Sequence, residues 1–331
     1  MKVLFIEPHP IEGPSSRYRV EQYIPYVRTS GITCIVRPFV STAFYKLLYV
    51  KGHHARKILY FIQSSIKRFF DLFTALGCDV IFLHLEAFPL GPPVFEWILA
   101  RLGKKIIYDL DDAIYLGRTS PANAFMKRLK WPSKVVTILK LSKHIITCNE
   151  YLADFARQYN KNVTVIYTCV DTDQFKPVRD KGMNNGITIG WMGSHSTAVY
   201  LEPLKPVFRR LRERFDFNVR LIGVGEYRFD DAGARVDRIP WRLDTEIQEL
   251  QRFTIGVYPL PADTWTLGKT GFKTIQYMSV GIPCVVSAVG SNRGIVRDGD
   301  NGFFATSEEE WVAKLSALMS DEKLRRDVGE A

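Results

Sequence analysis

Apolar residues in this chain fall into short, nearly unbroken runs, separated by longer stretches where they recur every three or four positions. The runs at 2–6, 32–36, 79–84, 105–110, 144–148 and 163–168 read as buried strands. Between them the spacing predicts helices. One starts near Ser16, with Val20, Ile24 and Val27 on one face and a bend at Pro25. Residues 41–76 are mostly helical with a break near Gly52, and further helices are expected at about 92–102, 122–142 and 150–159. Strands without polar alternation are covered on both faces, so strand–helix alternation of this kind indicates a parallel sheet.

The pattern then restarts. Residues 169–186 are polar and contain Pro177, Gly182 and Gly186, which places a linker at 177–186 between domains at 1–176 and 187–331. In the second half, strands are expected at 187–194, 217–222 and 254–258. Leu201, Leu204, Phe208, Leu211 and Phe215 form one helical stripe, and Ile247, Leu250 and Phe253 another. Ser307 and Glu310 read as a capping box opening a late helix before Trp311. At 331 residues two cores are expected rather than one. The predicted fold class is α/β, with two Rossmann-like doubly wound parallel-sheet domains facing across a cleft, where strand C-terminal ends meet ligands.

Composition narrows the class. Hydrophobic residues make up 46% of the chain, which excludes disorder, and no uninterrupted apolar stretch reads as a membrane span. The N-terminus lacks a cleavable signal pattern and reads as a first strand. Cys34, Cys78, Cys148, Cys169 and Cys284 are scattered, and neither they nor the histidines show metal-ligand spacing; buried thiols in a cytoplasmic protein are expected, and no metal. The net charge of +10 is confined to residues 1–180, which hold 25 Lys and Arg against 15 Asp and Glu. No acidic residue lies between Glu21 and Asp71, while eight basic ones do, interleaved with aromatic and aliphatic side chains. Basic, aromatic-rich helices at 44–70 and 124–143 suit an anionic membrane surface. This makes a peripheral protein of the cytosolic membrane face the expectation, ahead of a solvated helix surface or a nucleic-acid binder.

The candidate chemistry lies at 268–286. A glycine-rich loop leads into a short helix carrying Lys273 and Gln276, then a Gly-Ile-Pro turn into a strand. Glycine permits close backbone approach, and a helix N-terminus with Lys269 and Lys273 beside it suits a diphosphate. An ordinary loop capping a core helix is the plain alternative. Gly190, Gly193 and Ser194 sit at the end of a strand, where N–H groups could meet a phosphate. In the first half, Gly13, Ser15, Ser16 and Arg17 follow the first strand and open a helix, so this loop could close over the same ligand; Arg17 and Arg19 read equally well as surface charge.

Segments spread over the chain resemble glycosyltransferase family 4, the glycosyl transferases group 1 with GT-B architecture. The matching stretches are 13–32, 106–116, 144–156, 165–177, 187–194, 271–287 and 294–305. The resemblance implies transfer of a sugar from a nucleotide-sugar donor with retention of configuration. The donor would lie on the second domain and the acceptor on the first. Gly193, Ser194, Gly271 and Phe272 would then hold the diphosphate, Lys273 would neutralise the leaving group, and Trp241 would border the nucleobase. Lys273, Asp111 and Glu86 are the implied catalytic-site candidates. For Asp111 and Glu86, whose residues end neighbouring strands, a structural cap or surface carboxylate is the alternative.

Two departures from the family pattern stand out. Gly268 and Gln276 occupy the positions of a usual glutamate pair, leaving Gln276 to meet ribose hydroxyls without charge. A final helix crossing back to the first domain is expected in the family and is not found before Ala331. The function implied is a metal-independent hexosyltransferase of cell-surface polysaccharide synthesis, using a glycan or lipid-linked acceptor and no cofactor. The alternative is an inactive GT-B module acting as partner or scaffold in a glycan-assembly complex.

Overall fold

The computed structural model describes residues 1–48, 50, 52–117, 129–178, 186–230 and 233–331. The chain divides into two compact units, Met1–Thr168 and Cys169–Ala331. Residues 179–185 of the expected linker lie outside the described residues.

In the first unit, strands β1 (Lys2–Glu7), β2 (Thr33–Pro38), β3 (Val80–His84), β4 (Lys105–Leu110), β5 (His144–Thr147) and β6 (Val163–Val165) form one sheet. Its order is β2-β1-β3-β4-β5-β6, and every pair is parallel. Leu4 and Ile81 are register partners, as are Ile81 and Ile106, and all three side chains are fully buried. Connections leave β1 toward one edge and β3 toward the other, so the C-terminal ends of β1 and β3 form a topological switch point, the usual seat of ligands in such sheets. The helix expected after β1 is split into Pro14–Arg19, a 3₁₀ turn Glu21–Tyr23 and Ile24–Thr29; Pro25 cannot donate within a continuous helix. The predicted break near Gly52 separates helices Thr42–Leu48 and His54–Leu76. Of the helix expected over 122–142, the described part is Lys134–Leu141, and 118–128 lie outside the described residues.

The second sheet contains β7 (Ile187–Met192), β8 (Phe217–Ile222), β9 (Arg235–Ile239), β10 (Ile255–Tyr258), β11 (Cys284–Val286) and β12 (Phe303–Phe304). Its order, β12-β11-β10-β7-β8-β9, puts the switch point between β7 and β10. Leu201, Leu204, Phe208 and Leu211 are buried as the stripe predicts, in one core with Trp191, Leu315 and Leu318. Gly190 corrects an expectation: it lies within β7, not at its end, and a Cβ there would fall 2.0 Å from the Phe253 ring. It makes room for the Phe253 ring against the sheet rather than meeting a phosphate. Cys34, Cys78, Cys148 and Cys284 are buried free thiols.

Candidate functional site

The second unit gathers most of the expected donor residues at its switch point. β7 ends at Met192, and Gly193 follows, donating its N–H to the Ile222 carbonyl at 3.0 Å. A Cβ on Gly193 would lie 2.5 Å from the Trp191 ring and 2.8 Å from Lys273 Cε, so the Lys273 side chain crosses directly over this glycine. Lys273 comes from the helix Phe272–Ser279. Its Nζ stands 4.6 Å from the centre of the Tyr258 ring and 5.2 Å from that of Trp191. Burial, and next the nearby Lys269, push its amine down to about 7.

Gly271 caps that helix at φ +69°, a left-handed conformation open to glycine at little cost. A Cβ there would also strike Ile295 Cδ1 at 2.6 Å. The helix start is braced from behind: Thr274 Oγ1 donates to Asn292 Oδ1 at 2.9 Å, and Asn292 Nδ2 donates to the Ser287 carbonyl at 3.0 Å. Lys269 rests on the Trp265 face at 4.8 Å, and its carbonyl accepts from Ser291 Oγ at 2.7 Å. Just before Lys269 stands a short helix, Thr264–Leu267, set by an Asp263–Thr266 capping box. Beyond Gly193, the Ser194 hydroxyl lies 2.9 Å from that of Ser196, and Gly223 fits between the Gly193 carbonyl and Trp241. Gly193, Ser194, Trp241 and Lys273 are therefore neighbours, with Gly271 and Phe272 opening the lysine's helix.

Gln276 is placed differently from the ribose expectation. Its side chain is buried and donates Nε2–H to Glu246 Oε1 at 3.2 Å. Glu246 is buried as well, at the first turn of the helix Glu246–Gln251. Sequence reasoning missed it, because nothing in the local spacing ties two helices together.

The first unit carries a second polar cluster. Arg19 is buried and donates Nε–H to Asp109 Oδ2 at 3.1 Å and an η N–H to Asp109 Oδ1, while its other η nitrogen reaches the Ile166 carbonyl at 2.6 Å. Of the two readings open for Arg17 and Arg19, surface charge is excluded, because both are buried. Arg17 donates to the Ile11 carbonyl at 3.0 Å, lies over the Tyr18 ring and pins the loop before Gly13. Gly13 donates to the Pro10 carbonyl at 2.7 Å, and Ser16 is fully buried at the start of the helix Pro14–Arg19.

Asp109 also faces His84 Nδ1 at 2.8 Å. Burial works against the Asp109 charge, but Arg19 and His84 outweigh it and hold the carboxyl down at about 2. His84 Nε2 lies 2.7 Å from Ser15 Oγ, which donates to Asp111 Oδ2 at 2.5 Å. Asp109 thus has both carboxylate oxygens engaged. Among the described residues no group of three His, Cys, Asp or Glu side chains is placed to hold a metal ion. Glu86 is tied to the buried Lys134 at 2.7 Å, and Lys134 also donates to the Phe88 carbonyl at 2.6 Å. That removes Lys134 from any lipid-facing surface. Arg68 is likewise turned inward, onto Asp71 and the Glu7 carbonyl.

The family described as Glycosyl transferases group 1 matches residues 186–321. No curated protein sequence matches the chain. Among solved structures, HepE from Anabaena with UDP and glucose is 15% identical, with a TM-score of 0.67 over 99% of this chain and 92% of that one. Sucrose-phosphate synthase from Thermosynechococcus elongatus is 12% identical, with a TM-score of 0.65 over 99% and 92%. The apo form of the lipopolysaccharide outer core galactosyltransferase WaaB is 16% identical, with a TM-score of 0.60 over 97% and 90%. The second unit is thus a glycosyl transferases group 1 domain, carried in a chain of GT-B fold.

Proposed function

We propose that the chain is a retaining glycosyltransferase that moves a hexosyl group from a nucleotide-sugar to a glycan or lipid-linked acceptor, without a metal, in cell-surface polysaccharide synthesis. The observation that carries the donor half is the meeting of Gly193, the helix capped by Gly271, and Lys273 at one switch point. Oriented N–H groups and a cation are what a departing diphosphate needs. Lys269, Ser194 and Trp241 complete the donor set, and HepE, of the same fold, was solved with UDP-glucose. Asp111, Glu86 and the loop of Gly13, Ser15, Ser16 and Arg17 serve the acceptor side, with Glu86 held by its ion pair to Lys134.

The test is thermal. UDP at about 100 times its dissociation constant is expected to raise stability by about 2.7 kcal/mol. Lys273→Ala is expected to erase that shift while leaving the ligand-free melting temperature close to wild type. No shift with UDP, GDP or TDP would remove the donor reading.

Gln276, engaged by Glu246, favours a second reading, an inactive module that binds nucleotide and scaffolds other enzymes. Nucleotide binding without hydrolysis or transfer from any common donor would decide for it.

Peripheral association with the cytosolic face of an anionic membrane belongs to the same proposal. No helix among the described residues is long and apolar enough to cross a membrane. The support is the helix His54–Leu76, whose exposed side chains include Ile58, Ile62, Ile66, Phe69, Phe70 and Phe73.

A further inference from the structure

The chain leaves β3 through a strained turn at the switch point of the first sheet. Leu85 has φ +58°, and across it the Glu86 N–H donates to the His84 carbonyl at 2.8 Å. A bond spanning two residues around a left-handed one is the rare, strained form of γ-turn. Glycine would take this conformation at little cost, yet leucine stands here. Such strain persists only where the surroundings over-determine it, and it concentrates at functional positions.

Each residue of the turn is tied down. The Leu85 N–H donates to the Asp109 carbonyl at 2.9 Å, and the His84 ring faces the Asp109 carboxylate. The Ala87 N–H donates to Oε1 of the buried Glu96 at 3.1 Å. Lys134, also buried, reaches both the Phe88 carbonyl at 2.6 Å and Glu86 Oε2 at 2.7 Å. The Phe88 ring packs edge-on against Phe39 and Phe61.

This frame presents one carboxylate to the outside. Glu7, Glu96, Asp109 and Asp111 are each 8% exposed or less, whereas the Glu86 side chain keeps 22%. Among the described residues Lys134 is its one side-chain partner, and a carboxylate has about four lone-pair positions. We propose that the Leu85 turn and Lys134 hold the Glu86 carboxylate outward to accept a hydrogen bond from a substrate hydroxyl. That this hydroxyl belongs to the sugar acceptor rests on the glycosyl-transfer reading. Glu86 touches substrate; Lys134 and Leu85 are positioning residues. A hydroxyl held in one orientation reacts faster than one free to turn.

The contact is tested by release of nucleoside diphosphate from UDP-glucose, GDP-mannose or TDP-rhamnose, whichever the wild-type chain turns over fastest, with water as the smallest hydroxyl. Glu86→Gln is expected to lower kcat at least tenfold, with the donor KM within twofold and the nucleotide-induced rise in melting temperature unchanged. Leu85→Gly, which accepts the left-handed φ and so keeps the fold, is expected to lower kcat several-fold by loosening the turn. Lys134→Met is expected to match Glu86→Gln, and the double variant to fall within twofold of either, because the pair acts as one unit. Losses that multiply in the double variant, or a Glu86→Gln chain within twofold of wild type, overturn the proposal. So does a wild type that binds nucleotide and turns over no donor.

Failure to bind any nucleotide would instead remove the donor reading, and the turn is then judged on its own. Carbodiimide coupling of an amine to the ligand-free full chain, read by mass spectrometry, is expected to label Glu86 ahead of Asp109, Asp111 and Glu96. Labelling is expected to quicken in Lys134→Met, where the ion pair is gone. A Glu86 that labels no faster than Asp111, or at a rate that Lys134→Met leaves unchanged, overturns the outward, lysine-held carboxylate.

Discussion

Lys273 owes its proposed role to being uncomfortable when no anion is present. Between the Tyr258 and Trp191 rings its amine is pushed down to about 7, so it is partly neutral at physiological pH. A diphosphate would favour the charged form and draw in a proton. UDP affinity is therefore expected to hold below about pH 7 and to fall towards tenfold per unit above it, until the pKa of the bound amine is reached. Calorimetric titrations across pH would check this, and a flat profile in wild type would count against it. Asp109 gives the opposite slope. Its folded value of about 2 lies below the unfolded ~3.9, so its contribution, on the order of 2 kcal/mol, is present above ~pH 4 and lost as pH falls through 2. Asp109→Ala would strand the buried Arg19 and is expected to cost about 3–5 kcal/mol in urea unfolding. In the sequence, Gly193, Gly271 and Lys273 were read from what a phosphate needs, and the structure brings them to one switch point. The partners were not legible there. Arg19–Asp109, Lys134–Glu86 and Gln276–Glu246 each join distant segments, and spacing along a chain carries no record of such pairs.

Strands and helices followed their local signals wherever one rule dominated. β4 and β8 have the bounds that their apolar runs predict, and Ser307 and Glu310 form the expected capping box. β9 was missed because Arg235–Ile239 is an edge strand whose charged positions hide the run. The short helix at Thr264–Leu267 was hidden by the glycines around it, although Asp263 and Thr266 carried the cap. The helix His54–Leu76 departs furthest from the ordinary surface helix. It buries Ser64, Arg68, Asp71 and Ala75 and exposes Ile58, Ile62, Ile66, Phe69, Phe70 and Phe73. At about 100° per residue these six fall within an arc of about 120°, opposite the buried side. Burying one such aromatic side chain in lipid gains about 1.5–3 kcal/mol, more than one basic residue contributes near an anionic surface. Changing Phe69, Phe70 and Phe73 to Ser is therefore expected to abolish flotation with anionic vesicles, with helicity retained by circular dichroism. Flotation equal to wild type would show that this face meets something other than lipid.

At the scale of the molecule, each unit owns a sheet and a core. The first is centred on Leu4, Ile81 and Tyr108, and the second on Trp191, Phe208 and Leu315. The two-part architecture was legible because the strand–helix alternation stops in a polar stretch and starts again. The compact units meet at Thr168 and Cys169. With separate cores, a ligand held only by the second unit stabilises that unit by mass action and leaves the other's stability unchanged. Calorimetry is expected to resolve two unfolding transitions, of which UDP raises one. Asp109→Ala should lower the other, and Lys273→Ala should cancel the UDP effect without merging the two. The assignment is internally checked, because each variant marks its own transition. A single transition that both variants and UDP move together would mean that the units unfold as one, and the donor site could not then be assigned to the second unit by its stability alone.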